Sequence, residues 1–146
     1  MLTVYDGHLG VNHHTDSGAL TLLLTDHVPG LEVYLRGAWQ PVPPREDALI
    51  INIGDAIQVW SNDRYRAPLH RVRCQTQEVR ISVPFFFNPK ESFDYAPLTT
   101  SQEEPARYSP INFGEFRRLR ASGDYANLGE EVQIDHYRVA RQEGGK

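Results

Sequence analysis

The chain reads as a mainly β protein, an antiparallel sandwich or barrel accompanied by one C-terminal helix. Three observations carry that reading. Short apolar runs recur through residues 1–88, turn signals separate them, and no helical period intervenes. Residues 19–25 form a run rich in Leu and Thr. Residues 31–35 (LEVYL) and 38–42 flank Arg36-Gly37, which predicts a hairpin, and Pro41, Pro43 and Pro44 end that unit. Residues 48–53 (ALIINI) and 56–61 (AIQVWS) flank Gly54-Asp55 as a further pair of strand-like runs about a tight turn. Ser61-Asn62-Asp63 is turn chemistry. Residues 70–73 and 78–88 are expected to pair with each other across the polar stretch 74–77.

After Asn88 the composition changes. Pro89, Pro97, Pro105 and Pro110 mark a linker or a strap over the surface. Asn112, with Glu115 three residues on, predicts a helix N-cap and its capping-box partner. Phe113, Phe116 and Leu119 then recur at helical spacing through Ser122, and Gly123 stops the helix. Residues 141–146 read as a frayed end. The expected division is a core over 1–92 and a linker, helix and tail over 93–146.

Bulk properties bound the function. A length of 146 residues suits one domain with a real core. Hydrophobic residues at 40% and charged residues at 23% describe a globular chain. A net charge of −4 argues against a nucleic-acid binder. No apolar run approaches the roughly 20 residues that span a bilayer. Residues 1–10 lack the basic opening and apolar middle of a signal peptide. The single cysteine, Cys74, excludes an intramolecular disulfide and fits a reducing compartment, so a cytoplasmic location is expected.

Six histidines are present, and only His14 has a carboxylate two residues on, in His14-Thr15-Asp16. In extended backbone such residues point the same way, so one imidazole and one carboxylate can reach one ion. A third ligand must come from elsewhere, and His70 opens a later expected strand. Two imidazoles and one carboxylate on one face of a metal suit non-haem Fe(II) oxygenases, with the opposite face left open. A structural zinc site would close all four positions, usually with cysteines, and only one is available. Taken alone, His-x-Asp is a weak signal that more often marks a turn or cap, and His70 alone would default to a structural histidine.

Arg80 and Ser82 share one face of an expected strand, opposite Val79, Ile81 and Val83. A guanidinium beside a hydroxyl makes a fork for a carboxylate. An inward-facing arginine is costly unless an anion meets it. The competing reading is an exposed ion pair between Arg80 and Glu78. Arg120-Ala121-Ser122 repeats the spelling at the end of the expected helix, where residues two apart do not face the same way, and reads as surface decoration.

Together these residues resemble the isopenicillin N synthase-like and flavonoid/gibberellin-oxidase-like branch of the Fe(II)/2-oxoglutarate-dependent dioxygenases. The run from His14 to Leu23 resembles that family's first metal motif. Gly30-Leu31-Glu32-Val33, Trp39-Gln40-Pro41-Val42, residues 48–55 (ALIINIGD), Leu69-His70-Arg71-Val72 and the run Arg80 to Phe86 follow in the family's order. The likeness is dense over residues 9–90 and looser over 110–139. It implies a double-stranded β-helix, or jelly-roll, with Fe(II) held by His14, Asp16 and His70. It also implies 2-oxoglutarate as co-substrate, with its distal carboxylate on Arg80 and Ser82, and O2 as oxidant, ascorbate serving as a support. The reaction implied is oxidation of a small organic substrate by hydroxylation, desaturation or cyclisation, coupled to decarboxylation of 2-oxoglutarate.

Family members are about twice this long, so the chain resembles their C-terminal catalytic half, an incomplete barrel with an exposed sheet edge. Tyr5 stands too close to the metal motif to match the family's N-terminal co-substrate tyrosine. Besides an active oxidoreductase, two readings stay open: a jelly-roll fragment that binds metal or a small carboxylate without turnover, and a cupin-like metal hydrolase or isomerase. His13, His27, His136 and Cys74 read as bystanders. Phe85-Phe86-Phe87 reads as core on one face, and Phe86, on the face of Arg80 and Ser82, is a candidate pocket-lining residue.

Overall fold

Residues 9–74, 78–122 and 133–140 are described by a computed structural model of the chain. The strands are β1 (Leu9–His14), β2 (Leu20–Thr25), β3 (Leu31–Leu35), β4 (Ala38–Pro41), β5 (Ile50–Ile53), β6 (His70–Arg73), β7 (Ser82–Phe87), β8 (Asp94–Tyr95) and β9 (Ile111–Asn112). Two α-helices, α1 (Asp55–Trp60) and α2 (Phe113–Ser122), and a 3-10 turn (Ile134–Tyr137) complete the described elements. Every strand pair is antiparallel. One sheet has the order β1-β6-β3-β4, a second β5-β2-β7, and β8 pairs with β9.

Local sequence chemistry accounts for several turns. Arg36 and Gly37 both take positive φ (52° and 82°), which closes the β3–β4 hairpin with Leu35 opposite Ala38. Asn62 and Asp63 also take positive φ, as short polar side chains tolerate. Asn112 caps α2: its Oδ1 accepts the Glu115 N–H at 3.0 Å. The expected stop at Gly123, the end at 141–146 and Tyr5 lie outside the described residues.

Two expectations are corrected. Residues 56–61 do not form a strand, because the chain turns into α1 directly after Gly54. The N–H groups of Gly54, Asp55 and Ala56 donate to the carbonyls of Ala19, Asp16 and Gly18, so these bonds anchor the turn that follows β1. Nor do β6 and β7 pair with each other. Strand β6 lies between β1 and β3, and β7 lies beside β2 in the other sheet. Neighbouring apolar runs resemble an antiparallel hairpin, but alternation alone does not choose the partner.

The buried hydrophobic cluster lies outside the sandwich interior. Ala56 and Val59 of α1 pack with Phe113 and Phe116 of α2, and with Tyr95, Tyr108 and Ile111. The Pro-rich segment is therefore tied down by two fully buried tyrosines. Gln58 adds a polar tie, donating to the Tyr108 hydroxyl at 2.8 Å. Between the sheets lies a cavity of about 340 Å³ rather than a filled core. The run Phe85-Phe86-Phe87 does not make core: Phe85 and Phe87 stay 63% and 59% exposed. Leu24, Ile51 and Val83 on the same outer face are exposed as well. A sheet apolar on both faces is the pattern of one covered on both sides, and no described residue covers this face.

Candidate metal and co-substrate site

Strand pairing explains how ligands distant in sequence meet. His14 ends β1, His70 begins β6, and the two are antiparallel partners in register. Their rings lie 4.3 Å apart between centroids. Asp16 follows two residues after β1 and is buried. Its Oδ1 sits 3.5 Å from His14 Nε2 and 3.6 Å from His70 Nε2. One donor atom from each of the three residues lies within 4.8 Å of the others.

Each side chain is oriented by a further partner. His14 Nδ1 lies 2.8 Å from the Asn12 carbonyl and His70 Nδ1 3.0 Å from the Pro68 carbonyl. A carbonyl only accepts, so the proton sits on Nδ1 and Nε2 offers its lone pair to the common centre. The Asp16 carboxylate is divided. Thr21 Oγ1 and Asn52 Nδ2 both donate to Oδ2, and Oδ1 is left facing the imidazoles. Burial pushes the Asp16 carboxyl up, but the hydrogen bonds with His14, Thr21 and Asn52 outweigh it and hold it well below the usual carboxylate range. Asp16 in turn holds the His14 imidazole above its ordinary value against the opposing effect of burial. A divalent cation would replace the proton that this carboxylate favours. Two imidazoles and one divided carboxylate fit a metal that keeps open positions.

A second layer supports the turn from below. Arg120, near the end of α2, places Nη1 2.7 Å from Asp55 Oδ2 and donates through Nη2 to the Thr15 carbonyl at 2.9 Å. Thr15 Oγ1 also donates to Asp55. Asp55 is fully buried; burial pushes its carboxyl up to about 6 although Arg120 and Thr15 pull it down. Arg120 is thus not surface decoration. Its side chain is only 10% exposed, and the helix carries it under the loop that bears Asp16. At Gly54 an added Cβ would come within 2.2 Å of the Gly18 carbonyl oxygen, so a side chain there would displace this loop.

Arg80 lies two residues before β7. Its Nη1 donates to Ser82 Oγ and its Nη2 to Thr25 Oγ1, both at 3.0 Å. Its Nε is buried without a partner. The alternative pair with Glu78 does not form, since Glu78 faces His27 instead. Asp26 anchors the segment by accepting the N–H groups of Ile81 and Val28. Gly30, at φ +154°, lets the Arg80 stem pass: an added Cβ would meet Arg80 Cδ at 3.2 Å and the Arg73 carbonyl at 2.8 Å. Of the five N–H groups of this guanidinium, two are given to hydroxyls. A guanidinium with donors left over fits a carboxylate ligand.

The inter-sheet cavity joins the two groups: His14, Asp16 and His70 line it, and so do Ser82 and Phe86. All six residues singled out in the sequence therefore gather about this space, with Arg80 behind Ser82. Thr21, Asn52, Thr25 and the Arg120–Asp55–Thr15 set were missed. Thr21 and Asn52 did carry a signal, each a polar residue inside an otherwise apolar run facing inward.

Comparison with known proteins agrees with this geometry. The family model of the 2OG-Fe(II) oxygenase superfamily matches residues 3–89. Gibberellin 2-beta-dioxygenase 6 of Oryza sativa subsp. japonica is 37% identical over 128 residues, covering 88% of this chain and 34% of that protein. Jasmonate-induced oxygenase 2 of Arabidopsis thaliana is 40% identical over 130 residues, 86% of this chain and 35% of that protein. A crystal structure of JOX2 in complex with 2OG, Fe and JA superposes with a TM-score of 0.78 at 33% identity, covering 90% of this chain and 39% of that one. The dioxygenase for auxin oxidation in rice gives 0.77 at 34% identity, covering 92% and 46%. The chain belongs to the 2OG-Fe(II) oxygenase superfamily and has its jelly-roll fold. It spans about a third of the length of the curated relatives it matches, less than the half expected from the sequence.

Proposed function

We propose that the chain is the iron- and 2-oxoglutarate-binding part of a dioxygenase that oxidises a small organic substrate. The observation that carries this is the divided Asp16 carboxylate: Oδ2 is occupied by Thr21 and Asn52, and Oδ1 is turned to two Nε2 atoms. His14, Asp16 and His70 would hold Fe(II). When bound, the iron with 2-oxoglutarate and O2 supplies the oxidising chemistry, releasing CO2 and succinate. The protein's own part is to bind and orient. The Asn12 and Pro68 carbonyls keep both imidazoles in the ligating tautomer. Arg80, with Ser82 and Thr25 beside it, receives the distal carboxylate of 2-oxoglutarate. Phe86 walls the space beside the ligands. Cys74, a free thiol, fits the expected cytoplasmic location.

A second reading is a domain that binds iron and 2-oxoglutarate without turnover. The uncovered apolar face of the β5-β2-β7 sheet favours it. Succinate release from 2-oxoglutarate with Fe(II) and ascorbate decides between them. Release that is lost in His70→Ala supports the enzyme, whereas no succinate from protein with iron demonstrably bound leaves the silent reading. An activity untouched by Arg80→Ala would point to a metal hydrolase or isomerase instead.

A further inference from the structure

Two cavities meet at the metal ligands. The inter-sheet cavity is lined at one side by Ser82, with Arg80 behind it. The other, also about 340 Å³, is lined by His14, Asp16, Phe86, Ser17, Asn88 and Arg117, among others. It adjoins a wider outer space of about 600 Å³, and Ser17, Arg117 and Arg120 line both. Among the described residues that line the outer space, α2 presents Arg117, Arg118 and Arg120, and Glu91 is the carboxylate beside them. The described lining of the outer space is therefore basic on a chain whose net charge is −4.

The arginines differ in what already engages them. Arg120 is committed to Asp55 and Thr15. Arg117, one turn earlier, is 46% exposed, and its Nη1 stands 3.5 Å from a Glu91 carboxylate that is itself 79% exposed. Its guanidinium carbon lies 5.8 Å from the centroid of the Phe113 ring. An exposed pair of this kind contributes about 0–1 kcal/mol, so Glu91 holds Arg117 only weakly. Salt and solvent displace such a partner readily, and a ligand carboxylate with two oxygens could replace it on the fork. Ser17 and Asn88 supply polar side chains in the same wall.

We propose that the prime substrate is a small carboxylic acid whose carboxylate Arg117 receives at the mouth of the metal site, with its apolar body against Phe86. This rests on the function proposed above, because it assigns that site's second ligand. The carboxylate is distinct from those of 2-oxoglutarate, which Arg80 serves. It fixes one end of the substrate while the other faces the metal ligands.

Binding without turnover tests this. The protein is loaded anaerobically with Fe(II) and saturating 2-oxoglutarate, so that Arg80 is taken. Phenylacetate, indole-3-acetate and octanoate are each titrated calorimetrically against their own amides. At least one acid binds about tenfold more tightly than its amide, the size expected of a charge-assisted pair at a partly exposed arginine. Arg117→Gln abolishes that preference and Arg117→Lys keeps part of it. Three results overturn the proposal: amides that bind as well as acids, no acid that binds, or an undiminished preference in Arg117→Gln. A reduced preference in Arg117→Lys decides the matter should Arg117→Gln not fold. Succinate formation by a protein that treats acid and amide alike would sink this inference alone. Acid preference in a protein that forms no succinate would instead sink the turnover reading alone.

Discussion

Arg80-Ile81-Ser82 and Arg120-Ala121-Ser122 share a spelling and two outer residue types, yet they do different things. Leading into β7, the backbone is extended, so Arg80 and Ser82 stand side by side and bond to each other at 3.0 Å. At the end of α2 the same spacing turns the two residues apart. Ser122 donates back to the Leu119 carbonyl while Arg120 reaches Asp55 and Thr15. On a helix Arg120 and Ser122 do not share a common ligand. That does not make Arg120 a surface residue, because a helix has an inward face as well as an outward one. One arginine is held by hydroxyls and left ready for an anion. The other is spent on a buried carboxylate that steadies the metal loop.

The two arginines are expected to respond differently to replacement. Arg80→Gln has the largest expected effect: the KM for 2-oxoglutarate rises about a hundredfold, roughly 3 kcal/mol, with little change in thermal stability. A steady-state titration of 2-oxoglutarate beside a melting curve checks both halves. Arg120→Gln does the reverse. It strands the buried Asp55 carboxylate, so the metal-free protein loses about 3 kcal/mol in urea unfolding. Affinity for Co(II), followed by absorbance, falls about tenfold as the Asp16 loop loosens. If Arg120→Gln is as stable as the parent, the supporting role assigned to it is wrong.

The serines sharpen the contrast. Ser82→Ala raises the KM for 2-oxoglutarate about fivefold, the loss of one hydrogen bond to a charged ligand. Ser122→Ala, on an exposed helix end, changes neither KM nor stability by more than about 0.5 kcal/mol. The smallest effect is a pH dependence at Asp55. Burial raises its folded pKa to about 6, above the ordinary carboxylate value. The protonated form is thus favoured by folding. The stability this contributes is complete below about pH 4 and is lost as pH rises through 6. Urea midpoints of the metal-free protein between pH 4 and 7 show that decline, and Asp55→Asn flattens it.

Legibility in the sequence followed how local each cause was. The Arg36-Gly37 hairpin, the Ser61-Asn62-Asp63 turn and the Asn112 cap depend on a few adjacent residues, and all three stand in the structure. The helix at 55–60 was not legible, because its first N–H groups are satisfied by carbonyls of residues 16–19 some forty positions earlier. The supposed β6–β7 hairpin failed for a related reason. Each strand has the right alternation for many partners, and only the closing of two sheets selects among them.

By itself the sequence determined the chemistry available: two imidazoles, one carboxylate, and an arginine and serine on one strand face, in the order of a known family. Residue type and period-2 spacing are properties of the chain alone. Tertiary structure decided how those groups are used. Antiparallel register set His14 opposite His70 across 55 intervening positions (15–69). The second sheet supplied Thr21 and Asn52 to divide the Asp16 carboxylate. Helix α2 brought Arg120 beneath the metal loop and Arg117 to its mouth. Orientation of a ligand depends on what packs behind it, and those neighbours come from segments that no local pattern connects.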